Sequence, residues 1–233
     1  MLHDEFECDF YFIRHGESES NVVSGLAAGK NWDAPMTERG HRQALALGAR
    51  LKRSEVVFDA IYSSSQVRTV QTTERMLEGM GIPDTPFEKV DELIELQVPK
   101  WRGMPREQAY TPEVTMLREQ KGRWFVPDGG ESEWVVERRV SSWLEDRILR
   151  NPEHVEKGKQ TIAVLSHGIA LRCLFHSILG FEDRYIRRMA LFNASISRFT
   201  FASTGWFPRC INDSAHTFDI GDVAWEGPLD ITP

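Results

Sequence analysis

The chain is expected to be an α/β protein: three layers, helices on both faces of a mostly parallel central sheet, and an inserted cap segment. Three observations predict this. Apolar, strand-like runs occur at 8–13, 56–62 and 161–166. Helical spacing fills stretches between and after them. An arginine or histidine stands just past the end of each run, as Arg14-His15, Arg68 and His167. In open sheets of this kind ligands bind beyond the carboxyl ends of strands. Residues from both halves of the chain then build one site, which predicts a single domain over 1–233.

The first run, CDFYFI, is a buried strand ending abruptly in Arg14-His15-Gly16-Glu17. Residues 14–36 are a loop containing Gly25, Gly29 and Pro35. Thr37 starts a helix in which Ala44, Leu47 and Leu51 recur at helical spacing, with Lys52 and Arg53 in its last turn as the dipole prefers. Residues 56–62 form the next strand. Ser63 to Ser65 are placed to cap the helix carrying Arg68, Gln71 and Thr72.

Residues 81–130 break the pattern, with prolines at 83, 86, 99, 105, 112 and 127, and are expected to form a cap over the site. From Lys100 to Arg123 the cap carries six Lys or Arg against three Glu, interleaved with Trp101 and Tyr110. Val136, Val140, Trp143 and Ile148 mark one face of a helix over 131–150. The run TIAVLS is a buried strand ending in His167-Gly168 before the helix IALRCLFHSIL, so the architecture of the opening stretch recurs. Alternation in SISRFTFA predicts an edge strand, and residues 203–233 an irregular tail.

A net charge of −7 argues against a nucleic-acid or anionic-membrane surface, so an anionic substrate must be met by a local cluster of arginines. Cys8, Cys173 and Cys210 form no CxxC pair and leave an odd count, which fits reduced thiols. The acidic N-terminus is unlike a signal peptide, and no apolar run approaches the ~20 residues of a membrane span. The expectation is a soluble, cytoplasmic protein with a small phosphorylated metabolite as its partner. No cofactor is expected, and no metal, because paired arginines repel a cation.

Arg14 beside His15 suits a neutral imidazole facing an anion, and phosphoryl is the natural candidate. Hydrolysis of a phosphate monoester can demand acceleration of up to ~10²¹-fold, on the order of 28 kcal/mol. A nucleophile, charge stabilisers and an acid must therefore act together. His15 is the nucleophile, giving a phosphohistidine. Arg14 and Arg68 offer forked donors to the phosphoryl oxygens, and His167 adds another. Asp91, Glu92 and Glu95 are candidates for the acid that protonates the leaving oxygen.

The residues RHGESESN, YSSSQVRTVQT, LIELQVPKWRG, PDGGES and LSHG, in this order from about Asp9 to Phe201, resemble the histidine phosphatase superfamily with its phosphoglycerate mutase-like fold. The resemblance implies that His15 is phosphorylated, that Arg14, Arg68, His167 and Gly168 complete the phosphate pocket, and that Asn21 contacts the phosphate. It selects Glu95 as the proton donor through its spacing to Trp101 and Gly103. It makes Asp33, Pro35, Thr37, Gly40 and Gln43 structural, and Glu131 and Ser132 supporting residues near the site. Pro99 stands where family members commonly have glycine, and proline fixes φ and removes an amide donor, which bears on the loop of Glu95.

Within that family the cap decides whether the phosphohistidine meets water or a second hydroxyl. Residues 118–126 lack the Arg-Arg pair of the cofactor-dependent mutases, so a phosphatase is expected over a mutase. A catalytically silent phospho-ligand or protein-binding module is the alternative of a different class. Both histidines and both arginines are present, which disfavours it.

Overall fold

The computed structural model describes residues 6–27 and 33–220. In chain order its elements are β1 (Glu7–Arg14), α1 (Glu19–Val22), α2 (Glu38–Arg53), β2 (Ala60–Ser64), α3 (Val67–Met80), β3 (Glu88–Val90), α4 (Arg106–Ala109), α5 (Pro112–Lys121), α6 (Glu133–Leu144), α7 (Pro152–Val155), β4 (Lys159–Ser166), α8 (Gly168–Leu179), β5 (Ile196–Ala202) and β6 (Gly205–Asp213). The six strands form one sheet in the order β3-β2-β4-β1-β5-β6. The first four are mutually parallel; β5 pairs antiparallel with β1, and β6 antiparallel with β5.

Strand alternation divides the core in two. Phe10, Phe12, Tyr62, Ile162 and Val164 face α6 and α8, where Val136, Val140, Leu171 and Phe175 meet them. Tyr11, Ile13, Ile61, Ala163 and Leu165 face α2 and α3, against Leu47, Leu51, Met76 and Leu77. Both faces of the central strands are thus covered, which is why those strands read as unbroken apolar runs.

Several boundaries differ from the sequence expectations, each for a local reason. The strand expected at 56–62 starts only at Ala60. Val56 instead closes the end of α2 by donating its N–H to Leu51 O at 3.1 Å, after Glu55 at φ 53°. The expected edge strand β5 is internal, because Gly205–Asp213, within the segment expected to be irregular, form β6 alongside it. Gly205 and Pro208 read as breakers, yet Gly205 serves the hairpin turn at φ 112° and Pro208 sits on an edge strand, where a missing donor is tolerated. Residues 221–233 of the expected tail, and Gly29 of the first loop, lie outside the described residues. Within 81–130, β3 belongs to the sheet, and the remaining pieces are α4, α5 and short turns at Asp91–Leu93, Pro99–Trp101 and Gly122–Trp124. The helix over 131–150 is α6 continued by one π turn at Glu145–Leu149.

Candidate active site

β1, β2 and β4 deliver their carboxyl ends to one edge of the sheet. His15 continues the β1 ladder one step, donating its N–H to Ser166 O at 3.1 Å, so it emerges beside the end of β4. The following residues are held by backbone bonds to side chains: Gly16 N–H to Thr72 Oγ1 at 2.9 Å and Glu17 N–H to Gln43 Oε1 at 2.8 Å. Thr37 caps α2 through Gly40 N–H at 3.1 Å and also donates to Glu17 Oε1 at 2.6 Å. A Cβ on Gly40 would lie 2.0 Å from Glu17 O, so only glycine lets the first turn of α2 press against the histidine loop. Asp33 accepts the Val67 N–H at 2.6 Å and so caps α3, the role expected of the serines. Ser63 and Ser64 lie instead within β2, and the residue before α3 is Gln66, whose side chain makes no cap bond.

His15 is 3% exposed. Its Nδ1 lies 2.7 Å from Gly16 O, and because that oxygen can only accept, Nδ1 carries the proton. The lone pair is then on Nε2, towards which Arg68 Nε points from 3.3 Å. Burial, then Arg68 and Arg14, push the imidazole well below its ordinary pKa, so it is neutral. His167 is fully buried, its ring centroid 5.1 Å from that of His15, and its Nε2 lies 2.8 Å from Ser64 Oγ and 3.2 Å from Thr69 Oγ1. Burial and the field of Arg68, His15 and Arg14 push it well down too. Arg14 donates from Nη1 to Leu191 O at 2.5 Å. Burial and Arg172 lower its pKa to about 10, against the opposing pull of Glu95. Burial lowers that of Arg68, while Glu95 and Asp33 raise it. Desolvated cations beside a neutral imidazole form a site suited to an anion.

Glu95 lies across the entrance to α8. Its Oε1 accepts the N–H of Ala170 at 3.1 Å and of Leu96 at 2.9 Å, and its Oε2 that of Ile169 at 3.1 Å. Gln66 Oε1 accepts the Glu95 N–H at 2.8 Å and a bond from Arg68 at 3.3 Å, joining the backbone of Glu95 to the Arg68 side chain. Arg139 on α6 holds the same loop, donating to Glu92 O, Ile94 O and Glu95 O at 2.6, 2.8 and 3.2 Å while paired with Glu131. Glu131 in turn accepts the Gln97 N–H at 3.0 Å, and Ser132 caps α6. Pro99 opens the turn Pro99–Trp101 and leaves Glu95 facing the cavity.

Arg14, His15, Asn21, Arg68 and Glu95 all line one cavity of about 330 Å³; His167 and Gly168 are not among its lining residues but lie directly behind them, a Cβ on Gly168 falling 3.6 Å from Arg14 Nε. Trp101, Arg102, Tyr110 and Pro127 wall the other end. The loop at 25–27 closes over it by backbone bonds to the cap, Ala27 N–H to Met104 O at 3.0 Å and Arg106 N–H to Gly25 O at 2.7 Å. Asp91 and Glu92, the other candidate acids, are not among the lining residues; Asp91 bonds Ser65 instead. A larger hollow of about 660 Å³, lined by Leu144, Leu149, Leu174, Phe201 and Trp206 among others, has no histidine or cysteine among the described residues of its wall. The residues expected to form the site lie on the wall of the smaller one. Among the described residues no cluster of His, Cys, Asp and Glu could hold a metal, and no helix is long and apolar enough to cross a membrane.

Sequence reasoning did not single out Gln66, Arg139, Arg187 or Asn193. Gln66 sits inside the motif YSSSQVRTVQT and could have been found there. The other three reach the site from distant elements and carry no local pattern. Arg187 lines the cavity with its Nε against Glu133 Oε1 of α6.

The family model of the histidine phosphatase superfamily (branch 1) matches residues 10–214. A relative named "Probable phosphoglycerate mutase GpmB" from Proteus mirabilis is 30% identical over 225 residues, covering 90% of this chain and 95% of the relative. Among solved structures, a phosphoglycerate mutase from Bacillus anthracis superposes with a TM-score of 0.73 at 18% identity, over 94% of this chain and 99% of the other. A mutant phosphoserine phosphatase from Entamoeba histolytica, in complex with phosphoserine, also gives 0.73, at 21% identity over 90% and 98%.

Proposed function

The chain belongs to the histidine phosphatase superfamily, and from that premise we propose that it hydrolyses a phosphate monoester of a small metabolite through a phosphohistidine on His15. The observation that carries this reading is the state of His15: neutral, Nδ1–H fixed on Gly16 O, Nε2 unprotonated with Arg68 Nε 3.3 Å away, on a cavity wall shared with Arg14 and Arg68. Nε2 attacks phosphorus and the bond to the ester oxygen breaks. Arg14, Arg68 and His167 receive the phosphoryl oxygens, and Asn21 and the Gly168 amide complete the contact. These groups accelerate the step to the extent that they fit the transition state better than the ester. Glu95, protonated, gives its proton to the leaving oxygen. As carboxylate it then takes a proton from the water that attacks phosphohistidine, and the freed Nε2 regains its lone pair.

Hydrolysis, rather than transfer to a second hydroxyl, is supported by the cap. A mutase must hold a doubly phosphorylated intermediate, whereas among the described residues Arg102 is the one cap guanidinium on the cavity wall. Arg123 turns away to Glu137 and Asp183. The second reading, a phosphoglycerate mutase-type transfer, is favoured by the likeness to the Proteus mirabilis relative, named a probable phosphoglycerate mutase. Phosphate release from a panel of monoesters, against interconversion of phosphoglycerates without release, separates the two. In either case His15→Ala is expected to abolish turnover and trapped phosphoenzyme, and Glu95→Gln to slow turnover chiefly for poor leaving groups. Acid-labile phosphoprotein formed by the His15→Ala protein would overturn the assignment.

A further inference from the structure

Asn21 is the polar group of the proposed phosphate end that stands on a short, exposed helix, and its orientation has an identifiable source. Its Oδ1 accepts three donors: Ser18 N–H at 3.0 Å, Ser18 Oγ at 3.0 Å and Asn193 Nδ2 at 3.2 Å. A backbone N–H can only donate, so Oδ1 and not Nδ2 faces Ser18, which leaves Nδ2 as the free donor of a side chain on the cavity wall. Asn193 Nδ2 also donates to His15 O at 3.1 Å. One carboxamide therefore joins the backbone of the nucleophile to the side chain of Asn21.

Asn193 is aimed by a strained turn. Ala194, fully buried, has φ 56°, a left-handed conformation that is unfavourable for a non-glycine residue and persists only where the surroundings impose it. Ala194 N–H donates to His15 O at 3.1 Å, and Arg14 N–H to Ser195 O at 3.2 Å. From the other side, His216 Nε2 donates to Ala194 O at 2.9 Å and Phe192 N–H to Asn212 Oδ1 at 2.6 Å. The turn is thereby clamped between the histidine loop and the segment after β5.

We infer that Asn193 is a positioning residue that fixes the carboxamide of Asn21 with its Nδ2 towards the phosphate, binding Asn21 and the His15 loop into one unit. This rests on the reading of Asn21 as a phosphate contact. The test is a double-mutant cycle read by inhibition with inorganic phosphate and by kcat and KM on an aryl phosphate. Asn21→Ala is expected to weaken phosphate about tenfold, the loss of about one hydrogen bond to a charged group. Asn193→Ala is expected to weaken phosphate several-fold in the wild-type background and less than twofold in the Asn21→Ala background. Asn193→Asp keeps the volume but sets carboxylate oxygens against Asn21 Oδ1 and His15 O, and is expected to lose at least as much as Asn193→Ala. It also serves in the cycle if the alanine variant does not fold. Equal losses in both backgrounds, or no loss in the wild type, would overturn the inference, since a merely structural role is additive. Unchanged phosphate affinity in Asn21→Ala would overturn the reading of Asn21, and the inference with it, while leaving His15 as nucleophile untouched.

Discussion

The two ends of the cavity are built differently. At the proposed phosphate end His15, Arg68 and His167 are at most 6% exposed and are delivered by strand ends and helix starts, with backbone groups holding the loop between them. At the cap end, Arg102 is exposed and Tyr110 half-buried on short helices and turns, and ring contacts join the cap side chains, such as Trp101 on Tyr110 at 4.9 Å and Arg106 over the Tyr110 ring at 4.7 Å. The first end has a geometry fixed by the sheet. The second has a shape that can change without disturbing the sheet, which is where a shared chemistry acquires its particular substrate.

The sharpest way to break this division is at Arg68. Removing its guanidinium takes a preorganised donor from the phosphoryl oxygens, and Arg68→Ala is expected to lower kcat by about 10²–10³-fold. The factor should be alike for every ester, measured across leaving groups of different size. A loss confined to one substrate would assign Arg68 to the leaving group and erase the contrast.

Acid titration tests the burial of the phosphate end. His15 and His167 are held below the ordinary 6.5 in the fold, and His216, which braces the Ala194 turn, is lowered to about 4. The unfolded chain binds protons near 6.5 where the native one does not. Stability is therefore full above pH 6.5 and falls as the pH drops below it, with the His216 contribution spent by about pH 4. The slope is at most about 1.4 kcal/mol per pH unit for each proton. Residues 97–130 contain no histidine, so the cap adds nothing to this effect. Urea unfolding at pH 7.5, 6.5 and 5.5 reads the slope, and His15→Asn should flatten it.

The smallest effect is expected from Tyr110→Ala. Turnover of a compact aryl phosphate should stay within about threefold, while preference among larger esters changes, since truncating one wall removes binding that ground and transition states share. A uniform loss on every ester would place Tyr110 with the chemistry.

Much of the phosphate end was legible in the sequence because its residues sit at element boundaries. Arg14-His15 and His167-Gly168 each terminate an apolar run, and such a boundary leaves a pattern readable over a few residues. Family resemblance was needed to choose Glu95 over Asp91 and Glu92, since all three lie within five residues on one irregular stretch. The three amides that hold Glu95 come from Leu96 beside it and from Ile169 and Ala170 more than seventy residues away. Local pattern could not foretell that. The same holds for β6, whose glycine and proline are breakers in isolation and acceptable only at a sheet edge.

The sequence by itself determined which residues could meet a phosphate: apolar periodicity sets where strands stop, and side-chain type sets what charge waits there. Tertiary structure alone decided how those residues are held. Asn193 reaches back to His15 and Asn21, Arg139 crosses to the loop of Glu95, and the side chain of Asp33 rather than a serine caps α3. Periodicity fixes which face a residue takes along its own element, but the partner it meets depends on how distant elements pack, and that register is set by the whole core.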